Sequence, residues 1–221
     1  LGPYARLVEL INKHRVSLKN CWFINMDEYL DENKQYLPKT DPLSFRGGMD
    51  RIFYGLVDPE LLMPEEQRIF PEPGNEGRIW ETIQKLGKLD MCWGGVGITG
   101  HIAFNEPGSS LTSRTRQKTL TTDTIIANSR FFDNDVEKVP HYALTVGVGT
   151  VMDAREVMIL VNGHHKSRAL QAAVEGPVTQ WWTISALQMH QHGIIVADEA
   201  ACEELKVGTY RYFKDIEKNN L

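Results

Sequence analysis

Cysteine is scarce: Cys21, Cys92 and Cys202 are the only three in 221 residues, they lie far apart, and no C-x-x-C pair occurs. That excludes a disulfide-stapled scaffold and implies reduced, buried thiols in a cytoplasmic protein. No apolar run reaches the roughly 18 residues of a membrane-spanning helix, and no signal-peptide pattern is present, so no membrane partner is expected. No basic block occurs either: 24 Lys and Arg face 29 Asp and Glu, a net charge of −5. Such a chain is a poor match for duplex nucleic acid. Internal repeats and low-complexity segments are lacking too. What remains is ordinary for a globular chain, with 42% hydrophobic and 24% charged residues. The length predicts one domain, residues 1–221, with an ample core.

Hydrophobic patterning gives the elements. Pro3 suits a first helical turn, and Leu7, Val8, Leu10 and Ile11 form one apolar face to about residue 14. Cys21 to Met26 reads as a buried strand that stops at Asp27-Glu28. Residues 30–42 read as loop, Phe45 to Leu56 as helix despite Gly47-Gly48, and 58–74, with four prolines, as a long irregular connection. Glu76 to Leu86 reads as a helix and Leu89 to Trp93 as a strand. Tyr142 to Val146, Val157 to Val161 and Ile194 to Val196 read as strands. Ser167 to Val174, Trp181 to Met189 and Val207 to Lys218 read as helices. Short apolar strands alternating with helices predict an α/β fold with a mainly parallel sheet covered on both faces.

Ligands of such sheets bind beyond the carboxyl ends of the strands, which singles out three places. At Asn25-Met26-Asp27-Glu28-Tyr29, two acids follow an apolar run. A partly desolvated carboxylate there suits a general base, and an acidic loop or helix cap is the plainer account. At 94–107, Gly95, Gly97 and Gly100 match G-x-G-x-x-G. Pro107 forbids the clean helix that a dinucleotide fingerprint needs, so a nicotinamide oxidoreductase is a remote reading. His101 with Glu106 five residues on forms an acid–base unit, or else a histidine satisfied by backbone beside a solvated acid. At 162–166, Asn-Gly-His-His-Lys suits a phosphate, or ordinary capping with a solvated Lys166. Adjacent His164 and His165 lack further ligands at metal spacing, so no metal is expected. His190 and His192 read as a surface turn, and Trp181-Trp182 as core. Arg114, Arg116, Lys118 and Arg130 make a locally basic stretch, either a phosphate reader or a solvated face.

The stretches FINMDEYL (23–30), GGVGITGHIAFNEPGSSLTSRTRQKTLTTDTIIANSRFF (94–132), 139–176 and WTISALQMH (182–190) resemble the glucosamine-6-phosphate deaminase family, over nearly the whole chain. The resemblance implies a Rossmann-like three-layer α/β/α sandwich without nicotinamide or any other cofactor. It implies isomerisation and deamination of an amino-sugar 6-phosphate, with Asp27 as general base, His101 opening the pyranose ring and Glu106 orienting His101. Arg130 and Lys166 align with the family's phosphate ligands. Ser109, Arg116, Lys118 and Tyr212 fall at positions like an allosteric site, and the resemblance implies a homo-oligomer, a hexamer in bacterial members. The related alternatives are a 6-phosphogluconolactonase-like enzyme and a non-catalytic sugar-phosphate sensor.

Two departures stand out. Where the family has Asp in G-x-D-G-H, this chain has Thr99, and threonine cannot stabilise an imidazolium by charge. The family's glycine- and threonine-rich phosphate loop has no counterpart in a chain that opens on Leu1-Gly2-Pro3, so an N-terminally incomplete domain is expected.

Overall fold

In chain order, the computed structural model contains α1 (Gly2–His14), β1 (Phe23–Ile24), β2 (Asp27–Leu30), α2 (Phe45–Met49), β3 (Arg68–Ile69), α3 (Arg78–Leu86), β4 (Met91–Gly95) and β5 (Arg116–Thr119). There follow α4 (Thr122–Ser129), β6 (Tyr142–Thr145), α5 (Val148–Met152), β7 (Glu156–Val161), α6 (Ser167–Glu175), β8 (Gly193–Ala197) and α7 (Val207–Ile216). The structure describes residues 2–219, and the opening Leu1 lies outside them. The expected α/β class holds: helices alternate with strands, and the pairs β1–β3, β4–β7 and β7–β8 are parallel. The strands form three sheets rather than one, and the sheet β2-β6-β5 is antiparallel. No helix among the described residues is long and apolar enough to cross a membrane.

The chain divides into two compact units. The first comprises the residues up to Glu81 together with Thr115–Thr145. Its core gathers Val8 and Ile11 of α1 with Phe53, Tyr54, Val57 and Met63. Phe53 is fully buried, and Phe23 of β1 stacks on its ring at 5.3 Å. The helical run expected over 45–56 is present, and a π-helical turn, Asp50–Tyr54, continues α2. Gly47 belongs there because a Cβ would meet the Lys39 carbonyl oxygen at 1.8 Å.

Asp27 and Glu28 do not end a strand, as expected, but begin one. β2 runs from Asp27 to Leu30, paired with β6. Strand alternation then sends the two acids to opposite faces. Glu28 is fully buried and meets the start of α2: its oxygens accept from the backbone N–H of Phe45 and Arg46, both at 2.8 Å, and Arg46 Nε lies 3.2 Å away. Ser44 caps the same helix by accepting from Gly47 N–H. The N-terminal N–H groups that a helix leaves unpaired are thus satisfied by one hydroxyl and one carboxylate.

The second unit comprises Thr82–Arg114 and the residues from Val146 on, with the parallel sheet β4-β7-β8. Central β7 alternates in burial, with Val157, Ile159 and Val161 inward. Ala169, Leu170 and Ala173 of α6 and Ile184, Ala186 and Leu187 are buried in the same unit. The helix expected over 181–189 is a 3-10 segment, Thr183–Met189. Trp181 is 65% exposed and not core, because its neighbour Trp182 takes the inward place against Gly100.

Removing the Glu28 carboxylate leaves Arg46 and two helix N–H groups without their acceptor. Glu28→Ala lowers the unfolding free energy by about 3 kcal/mol in chemical denaturation. Glu32→Ala, which removes an exposed partner of His141, costs under about 1 kcal/mol.

Candidate active site

The parallel sheet of the second unit places two expected residue groups at the carboxyl ends of neighbouring strands. The loop after β4 carries Thr99, His101 and Glu106, and the turn after β7 carries Lys166. Glu106 is 2% exposed, and its Oε2 lies 3.0 Å from His101 Nδ1. Thr99 Oγ1 lies 2.8 Å from the same nitrogen and donates to Glu106 Oε2 at 3.3 Å. A carboxylate only accepts, so the proton of a neutral ring sits on Nδ1 and the lone pair on Nε2. The three side chains form a closed triangle. Thr99 supplies this position with a hydrogen-bonding hydroxyl that carries no charge.

The loop around this triangle is built for it. Gly97 lies under the imidazole, where a Cβ would come 2.0 Å from Nε2. Gly100 has φ +70° and carries the Trp182 ring on its α-carbon side. Thr183 Oγ1 accepts from Ile102 N–H and donates to the Asn105 carbonyl. Buried Asn105 donates its amide to Ile102 O and Val146 O, both at 2.9 Å. His101 and Glu106 are thus fixed from both sides of the loop.

The turn at 162–166 is already capped. Gly163, at φ +87°, donates its N–H to both oxygens of Asp198 at 3.0 Å. His164 pairs with Glu203 at 2.6 Å, and Ser167 Oγ donates to Glu204. Lys166 is half-buried at the start of α6. In the same unit Ser109 is buried, and its hydroxyl has no hydrogen-bond partner among the described residues. Tyr212 is 61% exposed on α7, its ring edge-on to Phe213. His190 is satisfied by the Ala154 carbonyl and by His192 N–H, the surface turn expected of it.

The first unit holds Asp27, Arg116, Lys118 and Arg130. Asp27 is half-buried and stands opposite Thr145, whose hydroxyl donates to Asp27 Oδ1 at 2.5 Å. Thr145 also stands opposite Arg116 on the other flank of β6. Register partners share a face, so Asp27, Thr145 and Arg116 form one row. Lys118, two residues along β5, lies on that face as well. Burial lowers the Arg116 guanidinium pKa from its ordinary value. Arg130 is exposed at the end of α4, its guanidinium 4.8 Å from the Phe131 ring. Arg114 belongs to the second unit and pairs with Asp153 at 2.6 Å. A cavity of about 220 Å3 lined by Tyr36, Lys39, Arg46, Arg68, Glu72 and Arg78 holds none of the expected residues. Burial there pushes the Tyr36 phenol up to about 12.

The Thr145 contact to Asp27 is one that the sequence did not disclose, because nothing in a β-rich run marks one threonine as facing an acid 118 residues away.

A methyl on residue 97 must displace the imidazole. Gly97→Ala therefore breaks the Nδ1–Glu106 hydrogen bond, read as loss of its downfield imidazole proton by NMR, and costs about 1–3 kcal/mol of stability.

Known proteins align along the whole chain. The glucosamine-6-phosphate deaminase of Bacteroides thetaiotaomicron is 59% identical over 226 residues, spanning 100% of this chain and 81% of its own length. That of Phocaeicola vulgatus is 58% identical, spanning 100% and 83%. That of Pasteurella multocida is 52% identical, spanning 98% and 80%. Among solved structures, a monomeric glucosamine-6-phosphate deaminase of the NagB superfamily superposes with a TM-score of 0.82 at 30% identity, over 91% of this chain and 82% of that one. A 6-phosphogluconolactonase from Trypanosoma brucei gives 0.60 at 17% identity, over 92% and 81%, a likeness of fold alone. No protein-family model matches. With every residue aligned at well over half identity to named relatives, the chain belongs to the glucosamine-6-phosphate deaminase family.

Proposed function

We propose that the protein converts glucosamine 6-phosphate and water into fructose 6-phosphate and ammonia. The observation that carries this is the alignment of the entire chain with deaminases at 58% and 59% identity. Residues 1–221 are read as one catalytic domain, in the cytoplasm and as a homo-oligomer, with no cofactor or metal.

His101 opens the pyranose. Its Nε2 takes the proton of the anomeric hydroxyl and returns it to the ring oxygen, while Glu106 holds the imidazolium in between. The open sugar then has an aldehyde at C1 and an amine at C2. The Asp27 carboxylate removes the C2 proton. The electrons of that bond form a C1=C2 double bond as the C1 oxygen takes up a proton from solvent water. The Asp27 carboxyl returns its proton to C1, which leaves an iminium at C2. Water adds to C2 and gives up a proton to solvent, which offsets the one taken by the C1 oxygen, and ammonia departs to leave the ketone. Arg130 and Lys166 hold the 6-phosphate, and Ser109, Arg116, Lys118 and Tyr212 belong to a second, regulatory site for an amino-sugar phosphate.

A panel of amino-sugar 6-phosphates scored for both ammonia and ketose phosphate tests the reaction. Ammonia from none of them, with hydrolysis of a sugar-phosphate lactone instead, overturns it. Asp27→Asn lowers ammonia release about a thousandfold, the range of a lost general base, and an unchanged rate makes Asp27 the wrong base. Thr99→Asp restores a charge beside the imidazole that 2.8 Å geometry already serves. It raises kcat about tenfold, some 1.4 kcal/mol of transition-state stabilisation; unchanged kcat with intact binding points to another substrate.

A further inference from the structure

Thr145 is fully buried on β6, the middle strand of the antiparallel sheet, with β2 on one side and β5 on the other. A buried hydroxyl is costly unless it is hydrogen-bonded. A valine would fill the same space on a strand without that cost. The residue at this place instead aims its Oγ1 at Asp27 Oδ1, 2.5 Å away. The two residues are direct register partners, and side chains so placed have Cβ atoms about 4.5–5.5 Å apart. Both side chains are short, and a β-branched residue on a strand is stiff at χ1. The contact therefore anchors Asp27 Oδ1 and restrains the direction in which Oδ2 points.

We propose that Thr145 is a positioning residue for Asp27, aligning its carboxylate with the C–H bond that it breaks. This rests on the reading of Asp27 as the base. Proton removal from carbon is steep in alignment, and a misplacement of about 1 Å costs on the order of a hundredfold. A hydrogen bond to the charged form of an acid also weakens it as a base. The two effects have opposite signs. If the hydroxyl only tuned basicity, its removal would speed the step. If it positions the carboxylate, its removal slows the step.

The test compares Thr145→Val and Thr145→Ser, each assayed with glucosamine 6-phosphate and its C2-deuterated form, with crystal structures of both variants. In Thr145→Val, kcat falls about tenfold to a hundredfold while KM stays within about twofold. The deuterium isotope effect on kcat grows, because C–H cleavage has become slower relative to the other steps. Thr145→Ser keeps the hydroxyl and returns most of kcat. The crystal structures show the Asp27 carboxylate turned in the Val variant and unturned in the Ser variant. The proposal is overturned if the Val variant keeps or raises kcat, if Ser is as slow as Val, or if Asp27 keeps its rotamer without the hydroxyl. Failure of the underlying reading shows separately, as undiminished ammonia release by Asp27→Asn. In that event the rotamer comparison still decides whether Thr145 orients Asp27.

Discussion

The buried carboxylate of Glu28 is the constraint on which the first unit depends. A charge with no exposure is tolerable only where hydrogen bonds replace its water. Here they come from the first backbone N–H groups of α2, from Ser44 and from Arg46. Once Glu28 is committed to α2, the face of β2 is decided for every other residue on it. Asp27 must look the other way, toward the face it shares with Thr145, Arg116 and Lys118. A slip of one residue would exchange the two acids, burying Asp27 at a helix start it is too short to serve.

The second unit uses a buried glutamate to a different end. Glu106 is nearly as inaccessible as Glu28, but it faces an imidazole and a hydroxyl instead of helix N–H groups. Backbone N–H groups never give up their protons, so Glu28 is a fixed strut. An imidazole can exchange its proton, so Glu106 faces a partner of different chemistry. The loop that presents it is fixed independently, through Asn105, Thr183 and the glycines under His101 and Trp182. That rigidity holds the imidazole, the hydroxyl and the carboxylate in one arrangement.

Elements that bury a continuous apolar face were legible in the sequence. β7, β8, α1 and α6 stand within a residue or two of where hydrophobic pattern puts them. β5 was not, because Arg-Gln-Lys-Thr carries no apolar signal and is a strand only through its pairing with β6. The start of β2 was missed because two acids read as a stop, and their burial comes from tertiary hydrogen bonds that no local pattern encodes. Trp181 was misread because adjacent tryptophans look alike in sequence, while a chain turn gives only one of them an inward place. The candidate chemistry was more legible than the fold around it. His101 and Glu106 are close in sequence and meet in space, whereas Thr145 is distant from Asp27 and gave no sign.

Thr99 shows how far geometry can be kept when charge is lost. Its hydroxyl touches both His101 and Glu106, so the ring keeps its tautomer and tilt without a second carboxylate. What changes is the energy of the imidazolium. A hydrogen bond with an ionised partner is roughly twice as strong as a neutral one, which places the loss near 1–2 kcal/mol. That loss falls only on a step in which His101 becomes charged. On the proposed reading proton removal belongs to Asp27, which the β2–β6 register places opposite Thr145. On the proposed reading, the missing acid at position 99 therefore weighs on ring opening, while the threonine still closes the triangle.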